Sequence, residues 1–204
     1  MPTIQYPILN QRNLGTAIQH LRRHCKVMDQ LVNTHGKCPL ATRPSPPFQT
    51  LATSIIGQQL SAKAADTIKS RILLLAPDFS PENILATKPE DLRGAGLSGS
   101  KVKYLTALAN AVTKGELDFC AMRKHSDEQV IQQLIALHGV GRWTAEMFLI
   151  FGLKRPDVLA LGDAGLQRAV RLLFGDKATL EKVSKKWRPY CSVASWYLWK
   201  HIDG

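Results

Sequence analysis

Apolar side chains recur every three or four positions along most of this chain, which is the period of an amphipathic α-helix. Between about residues 14 and 35 the pattern predicts one or two helices. A break follows at Arg43-Pro44-Ser45-Pro46-Pro47, because consecutive prolines cannot continue a helix. Helical spacing resumes at Phe48, and again after Ser61, whose side chain is suited to cap a helix. Since strand-like alternation of apolar and polar residues is rare, we expect an all-α fold.

The most distinctive stretch is a glycine turn within Leu137-His138-Gly139-Val140-Gly141-Arg142-Trp143-Thr144-Ala145. Helical spacing precedes it, beginning with a capping-box pair, Ser126 and Gln129, and helical spacing also follows it. The pattern predicts two helices joined by a tight turn. Glycines at both ends of that turn would leave backbone N–H groups open at the start of the second helix, where the helix dipole favours a phosphate oxygen.

Another glycine turn lies within residues 91–101, about 45 residues before the turn at residues 139–141. It also separates two segments with helical spacing. The likeness is one of local pattern and is too weak to indicate a repeat family.

Charge favours a polyanionic partner. The chain carries 27 Lys and Arg residues against 16 Asp and Glu residues, a formal net charge of +11. This balance favours nucleic acid, and less often an anionic membrane surface, while a soluble protein that is simply basic stays an alternative. At 204 residues, 45% of them hydrophobic, the chain can form one large domain or two small lobes with a substantial core.

Several protein classes are disfavoured by the sequence. No uninterrupted apolar run approaches the roughly 18 residues of a membrane span. Residues 1–7 have neither a basic nor an apolar region of the secretory type, so we expect no signal peptide. Cys25, Cys38, Cys120 and Cys191 form no Cys-x-x-Cys pair, which argues against a zinc ribbon or an iron–sulfur cluster and favours reduced thiols.

The glycine hairpin, its Trp-Thr-Ala continuation and a lone acid 22 residues after Gly141, Asp163, occur together with three further segments. These are Gly57-Gln58-Gln59-Leu60-Ser61, residues 94–105, and Trp187-Arg188-Pro189-Tyr190 with the residues up to 196. On these motifs the chain resembles the helix-hairpin-helix DNA glycosylases over roughly residues 25–202, in particular the 3-methyladenine DNA glycosylase II group.

The resemblance implies one two-lobed domain over residues 1–204, with two helical lobes flanking a DNA-binding cleft, the hairpin motif at about 126–152 and no extra N-terminal β domain. It implies an enzyme of base excision repair that flips a nucleotide out of duplex DNA and hydrolyses the N-glycosidic bond of alkylated purines such as 3-methyladenine or 7-methylguanine. Two alternatives stay open: a non-catalytic DNA-binding or lesion-sensing protein, and a glycosylase for deaminated bases.

By its position in the resemblance, Asp163 is the catalytic acid. A carboxylate beside C1′ favours the positive charge that develops on the sugar and can orient the attacking water. From the residues alone, Asp163 is equally suited to cap the following helix, and both roles can hold together. The rival acid Asp157 follows Lys154-Arg155-Pro156, where we expect a solvated loop or an ion pair. We expect Glu146 on the surface or lining the cleft.

The resemblance places Trp143, Met147 and Trp199 in the base pocket, where aromatic rings stack on a flipped base and attract a cationic one. Each of the three is also suited to be a packed core residue. Related glycosylases that also cut the backbone have a lysine at the position of Trp143, and tryptophan cannot form their Schiff base. Arg142 cannot replace that lysine, because its guanidinium stays protonated. We therefore expect a monofunctional enzyme without lyase activity.

The resemblance assigns DNA contacts to the loop around Gln58 and to the hairpin. The residues are Gln58, Gln59, Ser61, His138, Gly139, Val140, Gly141, Arg142 and Thr144. Gln58 and Gln59 would enter the duplex at the lesion, although their segment also suits an ordinary polar turn.

Partners and cofactors follow from the same resemblance. It implies no cofactor beyond a Na⁺ or K⁺ ion, held by the backbone carbonyls of Ile135, Leu137 and Val140 when DNA is bound. We expect a monomer that binds double-stranded DNA containing damaged bases and has no membrane partner. We expect it in the cytoplasm with the nucleoid, or in the nucleus if the organism is eukaryotic.

Overall fold

A computed structural model describes residues 6–44 and 46–204. Over these ranges the chain forms helices and no strand, which confirms the all-α prediction. The helices are α1 (Gln11–His24), α2 (Lys26–His35), α3 (Pro47–Gly57), α4 (Ala62–Leu75), α5 (Pro81–Ala86), α6 (Pro89–Gly94), α7 (Gly99–Thr113), α8 (Phe119–Met122), α9 (Asp127–Ile135), α10 (Arg142–Met147), a π-helix (Phe148–Gly152), α11 (Ala164–Phe174), α12 (Leu180–Ser184) and α13 (Cys191–Asp203). Residues 1–5, on which the expected lack of a signal peptide partly rests, and Ser45 of the proline break lie outside the described residues.

Local signals in the sequence explain several helix boundaries. The stretch at 14–35 is two helices, α1 and α2, and α3 begins with Pro47 at its first position, where a missing N–H costs nothing. Ser61 caps α4 by accepting a hydrogen bond from the Ala64 amide. Ser126 and Gln129 form the predicted capping box of α9. One feature was not predicted: after α10 the helical segment widens into the π-helix.

The chain divides into two compact units. Of the described residues, Tyr6 and 46–148 form the first, here named the hairpin unit because it contains the glycine hairpin. Pro7–Pro44 and Leu149–Gly204 form the second, here named the aspartate unit because it contains Asp163.

The hairpin unit is built around α3 and α7. Helix α3 packs against α4, α7 and α10, while α7 also packs against α5 and α6, and α9 packs against α10. Its fully buried core side chains include Leu51, Ile55, Ile56, Leu105, Ala109, Val130, Leu134 and Phe148. This packing fixes the loop after α3 and the turn after α9 on one framework.

The aspartate unit is built around α13. Helix α13 packs against α1, α2 and α11, and α11 packs against α12. Its buried core includes Leu21, Met28, Leu166, Trp187, Tyr197 and Leu198. The Tyr197 hydroxyl donates to the Gly36 carbonyl at 2.8 Å, which ties α13 to the end of α2.

All four cysteines are reduced. Cys25, Cys38 and Cys191 are buried, whereas Cys120 is exposed. Burial raises the pKa of the Cys38 thiol to about 12, so it stays protonated at neutral pH. Within residues 6–44 and 46–204, no helix is both long and apolar enough to cross a bilayer.

Candidate functional site

The predicted glycine turn joins α9 to α10 in the hairpin unit. Gly139 has a φ of +87°, a conformation that side-chain-bearing residues rarely adopt. A Cβ atom at Gly139 would lie 2.1 Å from Cγ of Tyr104, so the glycine is required by space as well as by backbone conformation. Gly141 is extended and is the N-cap of α10, with open space where a Cβ would stand.

Gln58 supports this turn from the loop after α3. Its Nε2 donates to the Gly139 carbonyl at 2.9 Å and to Oγ1 of Thr144 at 3.0 Å. Thr144 is only 2% exposed. Gln58 and Thr144 were predicted as DNA contacts, and in the described structure their polar groups hold the hairpin together.

Gln59 and Leu60 follow Gln58 and point toward solvent. Gln59 is exposed and has a φ of +57°, which is unusual for a residue other than glycine, asparagine or aspartate. Leu60 is 40% exposed and was not singled out from the sequence. The chain therefore presents a polar and an apolar side chain together at this turn, beside the capping hydroxyl of Ser61.

A cavity of about 470 Å³ lies between this loop and the hairpin. Its lining residues are Gln58, Gln59, Tyr104, Gly139, Gly141, Trp143 and Thr144. Trp143 is 38% exposed, so it is not a core residue. Met147 is 5% exposed and packs in the core of the hairpin unit, and its place in a base pocket stays a prediction.

Arg142 is bound to two carboxylates. Its Nη2 lies 2.9 Å from Oε2 of Glu128, and its Nε lies 3.3 Å from Oε1 of Glu146. The hydrogen bond from Arg142 lowers the pKa of Glu128, and a second one from Gln132 adds to the shift. Glu146 is 8% exposed and pairs with Arg142 within the hairpin unit, so the expectation of a surface residue was wrong, while its place in the lining of a cleft stays a prediction.

His138 is exposed and lies edge-on to Tyr104, with ring centroids 5.0 Å apart. Val140, between the two glycines, is buried, so only its backbone is suited to contact a ligand. The carbonyls of Ile135, Leu137 and Val140 have the chemistry that Na⁺ or K⁺ requires. Ile135 ends α9, where carbonyls lose their helical partners, and the Leu137 carbonyl accepts from the Val140 amide at 3.1 Å and keeps a second lone pair.

In the aspartate unit, Asp163 is 7% exposed, although its neighbours Gly162 and Ala164 are exposed. Two donors converge on its Oδ1: the Leu166 amide at 2.7 Å and Nε1 of Trp199 at 3.1 Å. Asp163 is therefore the N-cap of α11, as its position suggested. Helix capping and a contact with a predicted pocket residue meet in one carboxylate.

The surroundings of Asp163 and Trp199 are closely packed. A Cβ atom at Gly165 would lie 3.1 Å from Oδ1 of Asp163 and 3.5 Å from Cδ1 of Trp199. The Phe151 ring lies beside Trp199, with centroids 5.8 Å apart. Gly165 and Phe151 were missed, because the sequence pattern does not show which side chains meet across a fold.

Asp157 has a different environment. Its Oδ2 accepts from Nη1 of Arg188 at 2.7 Å, and its Oδ1 accepts from the Cys191 amide at 3.1 Å. The expected ion pair is confirmed, and this carboxylate serves to join two segments of the aspartate unit.

Comparison with known proteins gives a consistent family. Residues 52–191 match the HhH-GPD superfamily of base excision DNA repair proteins. The chain is 30% identical over 201 residues to the putative DNA-3-methyladenine glycosylase YfjP of Bacillus subtilis, spanning 91% of this chain and 70% of that relative. It is also 29% identical over 195 residues to the alkylbase DNA glycosidase-like protein mag2 of Schizosaccharomyces pombe, spanning 90% and 92%.

Solved structures agree. The 3-methyladenine DNA glycosylase Mag1 of Schizosaccharomyces pombe, in complex with abasic DNA, superposes with a TM-score of 0.81 at 29% identity, covering 93% of this chain and 97% of that one. The DNA-3-methyladenine glycosidase of Bacillus halodurans gives a TM-score of 0.73 at 37% identity, covering 97% and 92%. From its sequence motifs, its helical fold and these matches, the chain belongs to the HhH-GPD superfamily of base excision DNA repair proteins.

Proposed function

We propose that this protein is a DNA glycosylase of base excision repair that hydrolyses the N-glycosidic bond of alkylated purines in duplex DNA. The observation that carries the proposal is the environment of Asp163. In a member of this superfamily, a carboxylate at the expected spacing from the hairpin is held on one oxygen by the Leu166 amide and the Trp199 indole.

Asp163 supplies the negative charge that the reaction needs. As the bond to the base breaks, positive charge develops on the sugar, and a fixed carboxylate stabilises it without having to reorganise. The same carboxylate is suited to orient or deprotonate the attacking water. The two donors on Oδ1 fix the orientation of the group before the substrate arrives.

The hairpin binds the DNA backbone in this mechanism. The turn at Gly139–Gly141 offers backbone N–H groups to a phosphate, and the net charge of +11 attracts the polyanion. Gln59 and Leu60 occupy the duplex when the damaged nucleotide leaves it. Trp143 in the hairpin unit and Trp199 in the aspartate unit are each suited to stack on an extruded base, because electron-rich faces favour cationic purines.

The enzyme uses water as the nucleophile and has no lyase activity. Trp143 stands where lyase-type relatives have an amine, and an indole cannot attack C1′. The carbonyls of Ile135, Leu137 and Val140 would hold a Na⁺ or K⁺ ion, which adds positive charge next to a phosphate. The protein acts as a monomer on genomic DNA.

The decisive experiment compares Asp163→Asn with Asp157→Asn on a methylated duplex, with freed bases identified by mass. Asparagine also caps helices well, so Asp163→Asn keeps α11 while removing the charge. We expect base release to fall about a hundredfold or more in Asp163→Asn. Asp157→Asn should keep near wild-type activity once its stability is matched, because that acid only joins segments.

Four results would redirect the proposal. Equal activity of wild type and Asp163→Asn would remove Asp163 from the mechanism. Binding without release from any lesion would indicate a lesion-sensing protein. Release of uracil or hypoxanthine alone would indicate a glycosylase for deaminated bases. A borohydride-trapped covalent complex between wild type and DNA would contradict the lack of lyase activity.

A further inference from the structure

Helix α7 reaches both DNA-facing segments of the hairpin unit through two side chains one turn apart. Nζ of Lys101 donates to the carbonyls of Ile56 and Gln58, at 2.7 Å in each case. The ring of Tyr104 covers Gly139 so closely that no Cβ fits between them. Neither residue was singled out from the sequence.

These contacts close into a ring. Lys101 holds the backbone of Gln58, and the Gln58 side chain holds the Gly139 carbonyl. Gly139 packs on Tyr104, and Tyr104 lies one helical turn after Lys101 on α7. The loop after α3 and the hairpin turn therefore cannot shift independently without losing a hydrogen bond or a close packing contact.

The Lys101 side chain is partly buried. The ammonium group donates to two carbonyls at 2.7 Å, and burial lowers its pKa. Those carbonyls lie at the C-terminal end of α3, where the helix dipole also favours a positive charge. Directly beyond this anchor, Gln59 adopts its positive φ and Leu60 is exposed. The anchored backbone is thus the base from which both side chains project.

We propose that Lys101 and Tyr104 are positioning residues that couple the Gln58–Leu60 loop to the hairpin, so that phosphate binding by the hairpin and entry of the loop into the duplex occur as one step. The inference rests on the proposed function in taking loop and hairpin as DNA-binding. Neither side chain touches the reacting atoms.

The test uses Lys101→Met, with Lys103→Met as its matched control. Lys103 lies on the same helix but is exposed, so its replacement removes the same charge without removing a contact to the Gln58 loop or the hairpin. Loop entry is read from 2-aminopurine placed beside an abasic site, because its fluorescence rises when a neighbouring base is unstacked. Affinity is measured separately on undamaged duplex, and folding is checked by urea unfolding.

We expect both lysine variants to lose the same small amount of affinity for undamaged duplex, about two- to threefold. Only Lys101→Met should also lose most of the 2-aminopurine signal at saturating protein. In base release, its single-turnover rate constant should fall about tenfold or more while half-saturation changes little. Lys101→Arg should restore much of both signals, since guanidinium also donates to two carbonyls.

Tyr104 gives an independent arm. Tyr104→Phe keeps the ring and should behave as wild type, whereas Tyr104→Leu should reduce the 2-aminopurine signal. If the ring of contacts acts as a unit, Lys101→Met with Tyr104→Leu should be little worse than the poorer single variant.

Three outcomes would overturn the inference: the same 2-aminopurine signal in Lys101→Met and Lys103→Met, strictly additive effects of the Lys101 and Tyr104 changes, or no signal with wild type. A wild type that gives the signal but releases no base would refute the proposed function alone, and the fluorescence series would still decide the coupling.

Discussion

The two glycine turns of the hairpin unit, at Gly96 and at Gly139, each join two helices, but they differ in the residue that precedes the second helix. The first follows α6, contains Gly96 with a φ of +112°, and leads into α7. There Ser98 is the N-cap, and its hydroxyl accepts from the Lys101 amide. The second contains Gly139 and leads into α10, whose N-cap is Gly141 and makes no side-chain cap hydrogen bond.

The side chains that pack against the two turns also differ. A Cβ at Gly96 would lie 3.0 Å from Cγ1 of Ile68, so the first turn packs on an aliphatic side chain. The second packs on Tyr104 and is bordered by the exposed side chains of His138, Arg142 and Trp143. The helix after the first turn is capped by its own serine, whereas Gly141 has no side chain that could accept from the amides of α10. The residue before the helix is thus a serine at one turn and a glycine at the other.

The largest expected effect separates Gly139→Ala from Gly96→Ala. Both put a side chain at a positive φ, but only the first drives a methyl group into an aromatic ring. We expect Gly139→Ala to lower the free energy of unfolding by about 3 kcal/mol and Gly96→Ala by about 1–2 kcal/mol. Affinity for duplex DNA should fall at least about tenfold in the first variant and stay unchanged in the second.

Urea unfolding and fluorescence anisotropy measure the two quantities. Adding Tyr104→Ala to Gly139→Ala removes the aromatic ring that clashes with the new methyl group, so it should recover part of the lost stability. If the two glycine variants weaken DNA binding equally, the distinction between the turns is wrong.

A smaller effect comes from exchanging the caps. Gly141→Ser has space for its side chain and should gain a few tenths of a kcal/mol in stability, because the hydroxyl accepts from an amide of the first turn of α10. That amide is then unavailable to a phosphate, so affinity for duplex should fall about tenfold. Ser98→Gly should lose a few tenths of a kcal/mol and leave DNA affinity unchanged. A Gly141→Ser protein that binds DNA as well as wild type would show that the amides at the start of α10 do not bind a phosphate.

Much of this contrast was predictable, because caps and turns are local. The spacing of apolar residues predicts the helices, Ser126 and Gln129 predict a capping box, and Asp163 is recognisable as a cap from its place before α11. The partners of those residues were not predictable. Trp199 meets Asp163 from 36 residues away, and Lys101 meets carbonyls more than 40 residues earlier in the chain.

Glu146 shows the same limit. The sequence places Glu146 one helical turn after Arg142, but it does not show that the two side chains pair or that Glu146 is only 8% exposed, so a surface position was wrongly expected. Periodicity assigns a residue to a helix face, but only packing decides how much of its side chain is exposed.

The smallest expected effect concerns the acids in the helices that precede the two turns. Glu128, in the first turn of α9, pairs with Arg142 beside the turn at Gly139, whereas Glu90, in the first turn of α6, precedes the turn at Gly96. Glu128→Gln removes a negative charge near the proposed phosphate and releases one side of the guanidinium, so affinity for duplex should rise about two- to fivefold at low salt. Glu90→Gln removes an equal charge from the same unit and should leave affinity nearly unchanged.

The salt dependence separates a local contact from a general change in net charge. If Arg142 turns to a phosphate, the slope of log affinity against log salt should steepen by about one in Glu128→Gln alone. Equal gains of affinity in both variants would mean that only net charge matters. The turn at Gly139 would then not be a preferred contact for the DNA backbone.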